Sequence, residues 1–161
     1  MESRPTPFSG RGETATSVPF HDHAFIEILD ADPGTGRARI PDAPELKNHL
    51  GTVHGGVLFA LGEVAAAAGV TRLLGADMAR LRAITRRGSI EYLKPARGAI
   101  SGEGFVSVSR EAIFEALDAG PSLAVPVSVT LTDEAGICVA RLDIEWFVGR
   151  PRLQSPSGAA P

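Results

Sequence analysis

Two kinds of hydrophobic patterning divide this chain: one long apolar run, then strand-like alternation. The run sits inside Asn48 to Leu74, where Leu58, Phe59, Leu61, Val64, Val70, Leu73 and Leu74, with Ala65 to Ala68, leave no polar face. A helix that is apolar all round is buried all round. At about 1.5 Å per residue, Gly55 to Leu74 would span roughly 30 Å, which suits the central helix of a small domain. Between Lys47 and Arg72 the only formally charged side chain is Glu63. An unpaired buried charge costs several kcal/mol, so this carboxylate must be paired, protonated or used.

After the helix the period becomes two. Ile84 to Leu93 reads as a strand closed by Lys94-Pro95-Ala96-Arg97-Gly98. Ile100, Gly102, Gly104, Val106 and Val108 alternate with polar or outward positions, and so do Leu123, Val125, Val127, Val129 and Leu131. Pro126 points to an edge or a bulge. Asp133 to Gly136 is a hairpin loop, and the last strand puts Ala140, Leu142, Ile144, Trp146 and Val148 on one face. Arg110 to Gly120 has helical spacing with a Gly-Pro stop and predicts one short surface helix. Before the central run, Phe20 to Leu29 leads into a strand, Asp32 to Gly36 is a turn cluster, and Arg37 to Ile40 is a half-exposed strand. Short links favour antiparallel pairing. The fold class is therefore α+β, a curled antiparallel sheet wrapped around one long helix.

Composition narrows the setting. Hydrophobic content of 43%, charged content of 22% and a net charge of −3 are those of an ordinary globular domain and make no case for nucleic acid or a membrane surface. Glu63 near the middle of the apolar run, among glycines and alanines, argues against a membrane span; the small residues suggest backbone packed closely against a sheet. The single cysteine, Cys138, excludes an intramolecular disulfide framework and a multi-cysteine metal site, and neither a metal nor a cofactor is expected. A cytoplasmic protein is the expectation. Residues 1–19 read as a flexible arm without a signal-peptide core, 20–150 as the domain, and 151–161 as a disordered tail.

Asn48, Gly51, His54-Gly55-Gly56 and an acid nine residues after the histidine stand in one stretch. Together with Tyr92 to Gly98 and the hairpin Asp133 to Gly136, this pattern resembles the hotdog-fold acyl-CoA thioesterases, in particular the phenylacetate-pathway type. The resemblance covers roughly residues 25 to 148. Two departures stand out: many relatives of this type carry Asp where this chain has Glu63, and the helix at Arg110 to Gly120 is more like a branch of hotdog proteins whose activities are poorly defined.

The resemblance implies hydrolysis of an acyl-CoA or related thioester. Such chemistry needs an activated water or a carboxylate nucleophile, and donors aimed at the developing oxyanion. Glu63 would be base or nucleophile. The Gly55 N–H, with Gly56 as a second donor, would polarise the thioester carbonyl at a helix N-terminus; the same glycines also suit a plain loop-to-helix turn. Asn48 would orient water or thioester, and His54 would fix the loop or contact substrate. Thr85 stands ten residues before Pro95, where some relatives carry a water-orienting hydroxyl, with Ser89 as the rival position. Arg72 to Arg97 is locally basic, and Lys94 and Arg97 are the leading candidates for the phosphates of coenzyme A. Gly55 to Glu63 is about 12 Å of helical rise, too far for one chain to join them. The family's solution implies a homodimer or dimer of dimers, its active site at the subunit interface. The alternative is a non-catalytic acyl-CoA-binding protein on the same fold, which would not need Glu63.

Overall fold

The structure, a computed structural model, describes residues 18–151. Its elements in chain order are α1 (Pro19–His23), β1 (Glu27–Leu29), β2 (Thr35–Ile40), α2 (Gly55–Leu74), β3 (Arg82–Tyr92), β4 (Ile100–Val106), α3 (Arg110–Ala119), β5 (Ser122–Asp133) and β6 (Cys138–Gly149), with short 3-10 turns at Pro44–Leu46 and Gly75–Arg80. Apart from Val18, Pro19 and Pro151, the expected arm and tail lie outside the described residues. The lead-in segment holds more structure than expected: Pro19 opens a short helix, where its missing N–H and fixed φ are no handicap.

The six strands form one antiparallel sheet in the order β1-β2-β4-β5-β6-β3. It curls around α2, which is the hotdog fold. The inner face of the sheet carries the expected apolar set, among them Ile100, Val127, Val129, Leu131, Leu142, Ile144 and Val148. Helix and sheet meet at backbone distance. A Cβ built on Gly36 of β2 would lie 1.9 Å from the Ala65 carbonyl oxygen, and one on Gly104 of β4 would lie 3.1 Å from it. The small residues of α2 therefore serve close packing on β2 and β4, as their composition suggested.

Three expectations need correction. Burial of α2 on every side is not reached in a single chain: Ala60, Glu63 and Ala67 are half-buried and Gly56 and Thr71 exposed, a stripe at helical spacing that the sheet does not cover. Pro126 lies in β5, an interior strand, and not on a sheet edge. Its carbonyl accepts from the Ser107 N–H at 3.1 Å, one residue past the end of β4. In an antiparallel strand the N–H of a residue points to the same side as its C=O, so the donor that Pro126 lacks would face Ser107, beyond the end of β4, and no bond within the β4–β5 ladder is lost. The basic stretch from Arg72 to Arg97, finally, is dispersed along β3 and its flanks. Arg72 donates to the Leu29 carbonyl at 2.8 Å, Arg80 pairs with Asp77 at 2.5 Å and Arg86 with Glu145 at 3.6 Å.

The two sheet edges differ. β1 has three residues, a length that blunts an edge. β3 has eleven, and its outer edge is unpaired among the described residues. A bulge between Thr85 and Arg87 shifts its register against β6. Thr85, opposite Trp146, and Gly88, opposite Ile144, consequently both face α2. Gly88 has to be small, since a Cβ there would come within 2.8 Å of the Phe59 ring.

α3 lies over β5 through Ile113 and Leu117, which are buried and four apart. Ser109 caps it, its hydroxyl accepting from the Ala112 N–H at 3.1 Å. Arg110 and Arg80 both reach the Asp77 carboxylate, and both guanidinium groups lie over the Phe114 ring, at 4.7 and 5.7 Å. That cluster fastens α3 to the turn that follows α2.

Candidate active site

The polar loop before α2 is organised by Asn48. Its side-chain oxygen accepts from the backbone N–H groups of Leu50 at 2.9 Å and Thr52 at 3.3 Å, and its amide nitrogen donates to the Thr52 hydroxyl at 2.9 Å. Such an Asx turn engages both ends of the amide. Gly51 closes the loop at φ 70°, a left-handed conformation that favours glycine. Asn48 thus holds the loop in the single chain, and one N–H of its amide has no partner among the described residues.

His54 caps α2. Its Nδ1 accepts from the Gly56 N–H at 2.9 Å, so in the neutral ring the proton sits on Nε2. This bond separates two donors that the sequence could not tell apart. The Gly56 amide, the expected second oxyanion donor, is engaged by His54 in the single chain. The Gly55 amide has no partner among the described residues and stands at the positive end of a twenty-residue helix.

A residue that sequence reasoning missed adjoins it. The Tyr92 hydroxyl donates to the Gly55 carbonyl at 3.0 Å, and a Cβ on Gly55 would lie 2.9 Å from that hydroxyl and 3.1 Å from the ring. Position 55 must be glycine for Tyr92 to sit there. No local signal links the two, which are 37 residues apart in sequence.

Glu63 lies two turns further along α2, half-buried. Its Oε1 accepts from the Thr85 hydroxyl at 2.5 Å, and its other oxygen has no partner among the described residues. This carboxylate is therefore held by a hydroxyl and by no cation among those residues. Thr85 is the hydroxyl that reaches it. The rival, Ser89, pairs with Asp143 on the outer face of the sheet. Glu63 and Gly55 remain about 12 Å apart along the helix axis.

Lys94 and Arg97 lie at the glycine end of α2. The Leu93 and Lys94 N–H groups both donate to the Val139 carbonyl, at 2.9 and 3.1 Å, and the Ala96 carbonyl accepts from the Val53 N–H at 2.9 Å. The loop that carries the two cations is thereby stitched to the strand-like residue just before His54. Both side chains are exposed and without an ion-pair partner among the described residues. Two concavities of about 420 and 480 Å³ lie elsewhere: one is floored by outward residues of β5, β6 and β3, the other is near Arg82 and Phe147, and neither includes Glu63 or Gly55.

Solved structures share this architecture. A protein of Pseudomonas aeruginosa described as a probable thioesterase of unknown function is 24% identical over 83% of this chain and 89% of its own, with a TM-score of 0.73. A thioesterase of Staphylococcus aureus is 16% identical over 83% of this chain and 100% of its own, with a TM-score of 0.69. The PaaI protein of the E. coli phenylacetic acid degradation operon is 17% identical over 83% and 85%, with a TM-score of 0.64. At these identities the likeness is one of fold. No curated protein sequence matches the chain. One family does, over residues 13–148, and so the chain belongs to DUF4442, described as a domain of unknown function.

Proposed function

We propose that the chain is an acyl-CoA thioesterase of the cytoplasm that works as a homodimer, alone or as a dimer of dimers. The observation that carries this reading is the pair of half-sites on α2. One end offers a free amide at a helix N-terminus, and the middle offers a hydroxyl-held carboxylate with one free oxygen. Neither completes a hydrolytic site alone, and one chain cannot bring them together.

The free edge of β3 supplies a way to do so. Thr85 and Tyr92 both face α2 and mark Glu63 and Gly55 respectively. If two β3 edges pair antiparallel about a two-fold axis at Ser89, Gly88 meets the partner's Ile90 and Arg87 meets the partner's Glu91. Passing over the bulged Arg86, Thr85 meets the partner's Tyr92. Glu63 of one chain then faces the partner's Gly55. Opposite charges at Arg87 and Glu91 favour that register. Ile84, Tyr92 and Leu93 are 49, 53 and 38% exposed, and the uncovered stripe of α2 adds to the apolar surface such an interface would bury.

In this arrangement the thioester carbonyl points its oxygen at Gly55 N–H, and Glu63 acts on the carbonyl carbon, as general base or as nucleophile. His54 holds the glycine turn through Gly56. Lys94 and Arg97 receive the phosphates of coenzyme A. The test is thiol release from a panel of aliphatic and aromatic acyl-CoAs by wild type and Glu63→Ala, with a no-substrate blank for Cys138. Turnover that falls at least 100-fold in the variant is expected for loss of a positioned base or nucleophile. Failure to turn over any thioester, with acyl-CoA binding equal in both proteins, would replace this reading by a non-catalytic acyl-CoA-binding protein.

A further inference from the structure

The concavity of about 480 Å³ near Arg82 and Phe147 lies on the outer face of the sheet, at the end where β3 and β5 begin and β6 stops. The ladders set its floor. Ile84 stands opposite Phe147, and Arg82 and Ser122 stand on either side of Gly149. The tip of the Phe147 ring reaches along β6 to Gly149, where a Cβ would lie 3.0 Å from one ring carbon and 3.1 Å from the next. A side chain at position 149 would crowd the ring; glycine lets it lie along the sheet. Pro121 closes the end of the groove, its carbonyl accepting from the Arg150 N–H at 3.2 Å. Arg82, Arg86 and Arg150 rim the floor, all exposed. Arg82 has no ion-pair partner among the described residues. Arg86 holds Glu145 at a loose 3.6 Å, and Arg150 pairs with Asp118 at 2.5 Å on the open surface. Exposed pairs of this kind are weak, so another anion can take the place of either carboxylate at little cost.

A floor about one aromatic ring wide, open to water on one side and rimmed by cations, fits a flat ligand with a charged end. An alkyl chain laid there would leave much of its surface wet, whereas a ring covers a whole face by stacking. Three arginines are more than a single carboxylate can engage, and guanidinium groups grip phosphate bidentately. We propose that this groove binds a free purine nucleotide, its base stacked on Phe147 beside Ile84 and its phosphates held by Arg82 with Arg86 and Arg150. The nucleotide end of coenzyme A fits less well. Ile84 faces outward and the adjoining Thr85 faces Glu63, so a thioester tethered in the groove would have the sheet between it and that carboxylate. In the β3–β3 pairing the partner's Leu93 falls opposite Ile84 and prolongs the floor, and the outer face stays open. The site goes beyond the hydrolytic reading and does not depend on it.

Calorimetric titration of the intact protein with ADP, adenosine and inorganic phosphate tests the site without turnover. ADP should bind once per chain, more tightly than adenosine or phosphate, and more weakly as salt is added. Phe147→Ala should lower the ADP affinity about 5- to 150-fold, the loss of one stacking contact. Arg82→Ala should lower it about tenfold. Arg82 is exposed, so that variant keeps the test open if a melting curve shows Phe147→Ala unfolded. The double variant Lys94→Ala, Arg97→Ala should bind ADP as wild type does. No ADP binding at millimolar concentration, or equal affinity in wild type and Arg82→Ala, would overturn the site. Phosphate bound as tightly as ADP would leave an anion patch with no place for a base. ADP binding lost in the double variant, or coenzyme A bound once per chain with an affinity that falls in Phe147→Ala as that of ADP does, would assign the nucleotide to the coenzyme and overturn the proposal. An inactive protein that binds ADP in this way would refute the thioesterase reading alone.

Discussion

The Thr85 hydroxyl donates to Glu63 Oε1 at 2.5 Å, from β3 across to α2. A hydrogen bond to a carboxylate is short and about twice as strong as a neutral one. It fixes which oxygen of Glu63 is engaged and which is left for chemistry. Thr85→Val keeps the shape and removes the donor. The expected outcome is a fall in kcat of about 10- to 100-fold, from a bond of about 1.5–3 kcal/mol, with Thr85→Ser close to wild type. Steady-state kinetics on the best thioester of the panel checks both; equal rates for wild type and Thr85→Val would remove Thr85 from the site.

Ser89 stands at the centre of the proposed β3–β3 pairing. In such a register two cysteines at this position would sit at Cα separations of about 4.5–5.5 Å, within reach of a disulfide. Ser89→Cys in a Cys138→Ser background is expected to form a covalent dimer under mild oxidation, visible on a non-reducing gel. The cross-linked dimer should keep its activity. A fully active protein that runs as a monomer would refute the shared site.

Gly36 faces the carbonyl of Ala65 so closely that a methyl group cannot be placed between them; the built Cβ lies 1.9 Å from that oxygen. Backbone on both sides leaves nothing flexible to move aside. Gly36→Ala should therefore destabilise the fold by about 3 kcal/mol, at the upper end of what overpacking ordinarily costs. For a domain of this size that corresponds to a fall in Tm of roughly 10 °C, measurable by thermal melting.

The clamp on α3 predicts a pH dependence. The Arg110 hydrogen bond is the main cause that holds the Asp77 carboxyl below its ordinary 3.8; burial opposes it, and Arg80 adds to the lowering by hydrogen bond and charge. A depressed folded value means stability present in full above the unfolded value and lost as pH falls through the folded one. Wild type should therefore melt above Asp77→Asn at neutral pH. The gap should begin to close near pH 3.8 and vanish at lower pH. A gap that persists unchanged at pH 2 would mean that Asp77 acts by packing alone.

Much of this architecture was legible in the chain. Period-two alternation placed β4, β5 and β6 and chose their inner faces, because a strand with one buried face can be apolar only at every second residue. The spacing of Ile113 and Leu117 placed α3. Glu63 stood out as the lone charge between Lys47 and Arg72. Other features depended on partners distant in sequence. The bulge that turns Thr85 toward Glu63, the Tyr92 hydroxyl on Gly55 and the unpartnered indole of Trp146 arise where β3, β6 and α2 meet, and no local pattern encodes a meeting. His54 shows the finer limit: a glycine pair after a histidine offers two equivalent amides, and only the folded cap removes one of them. The apolar run determined that α2 would be covered, since hydrophobic burial depends on area and has no direction. Which side the sheet would cover, and which stripe with Glu63 would stay open, was decided by the tertiary structure, because that choice rests on the close contact of Gly36 and Gly104 with one face of the helix.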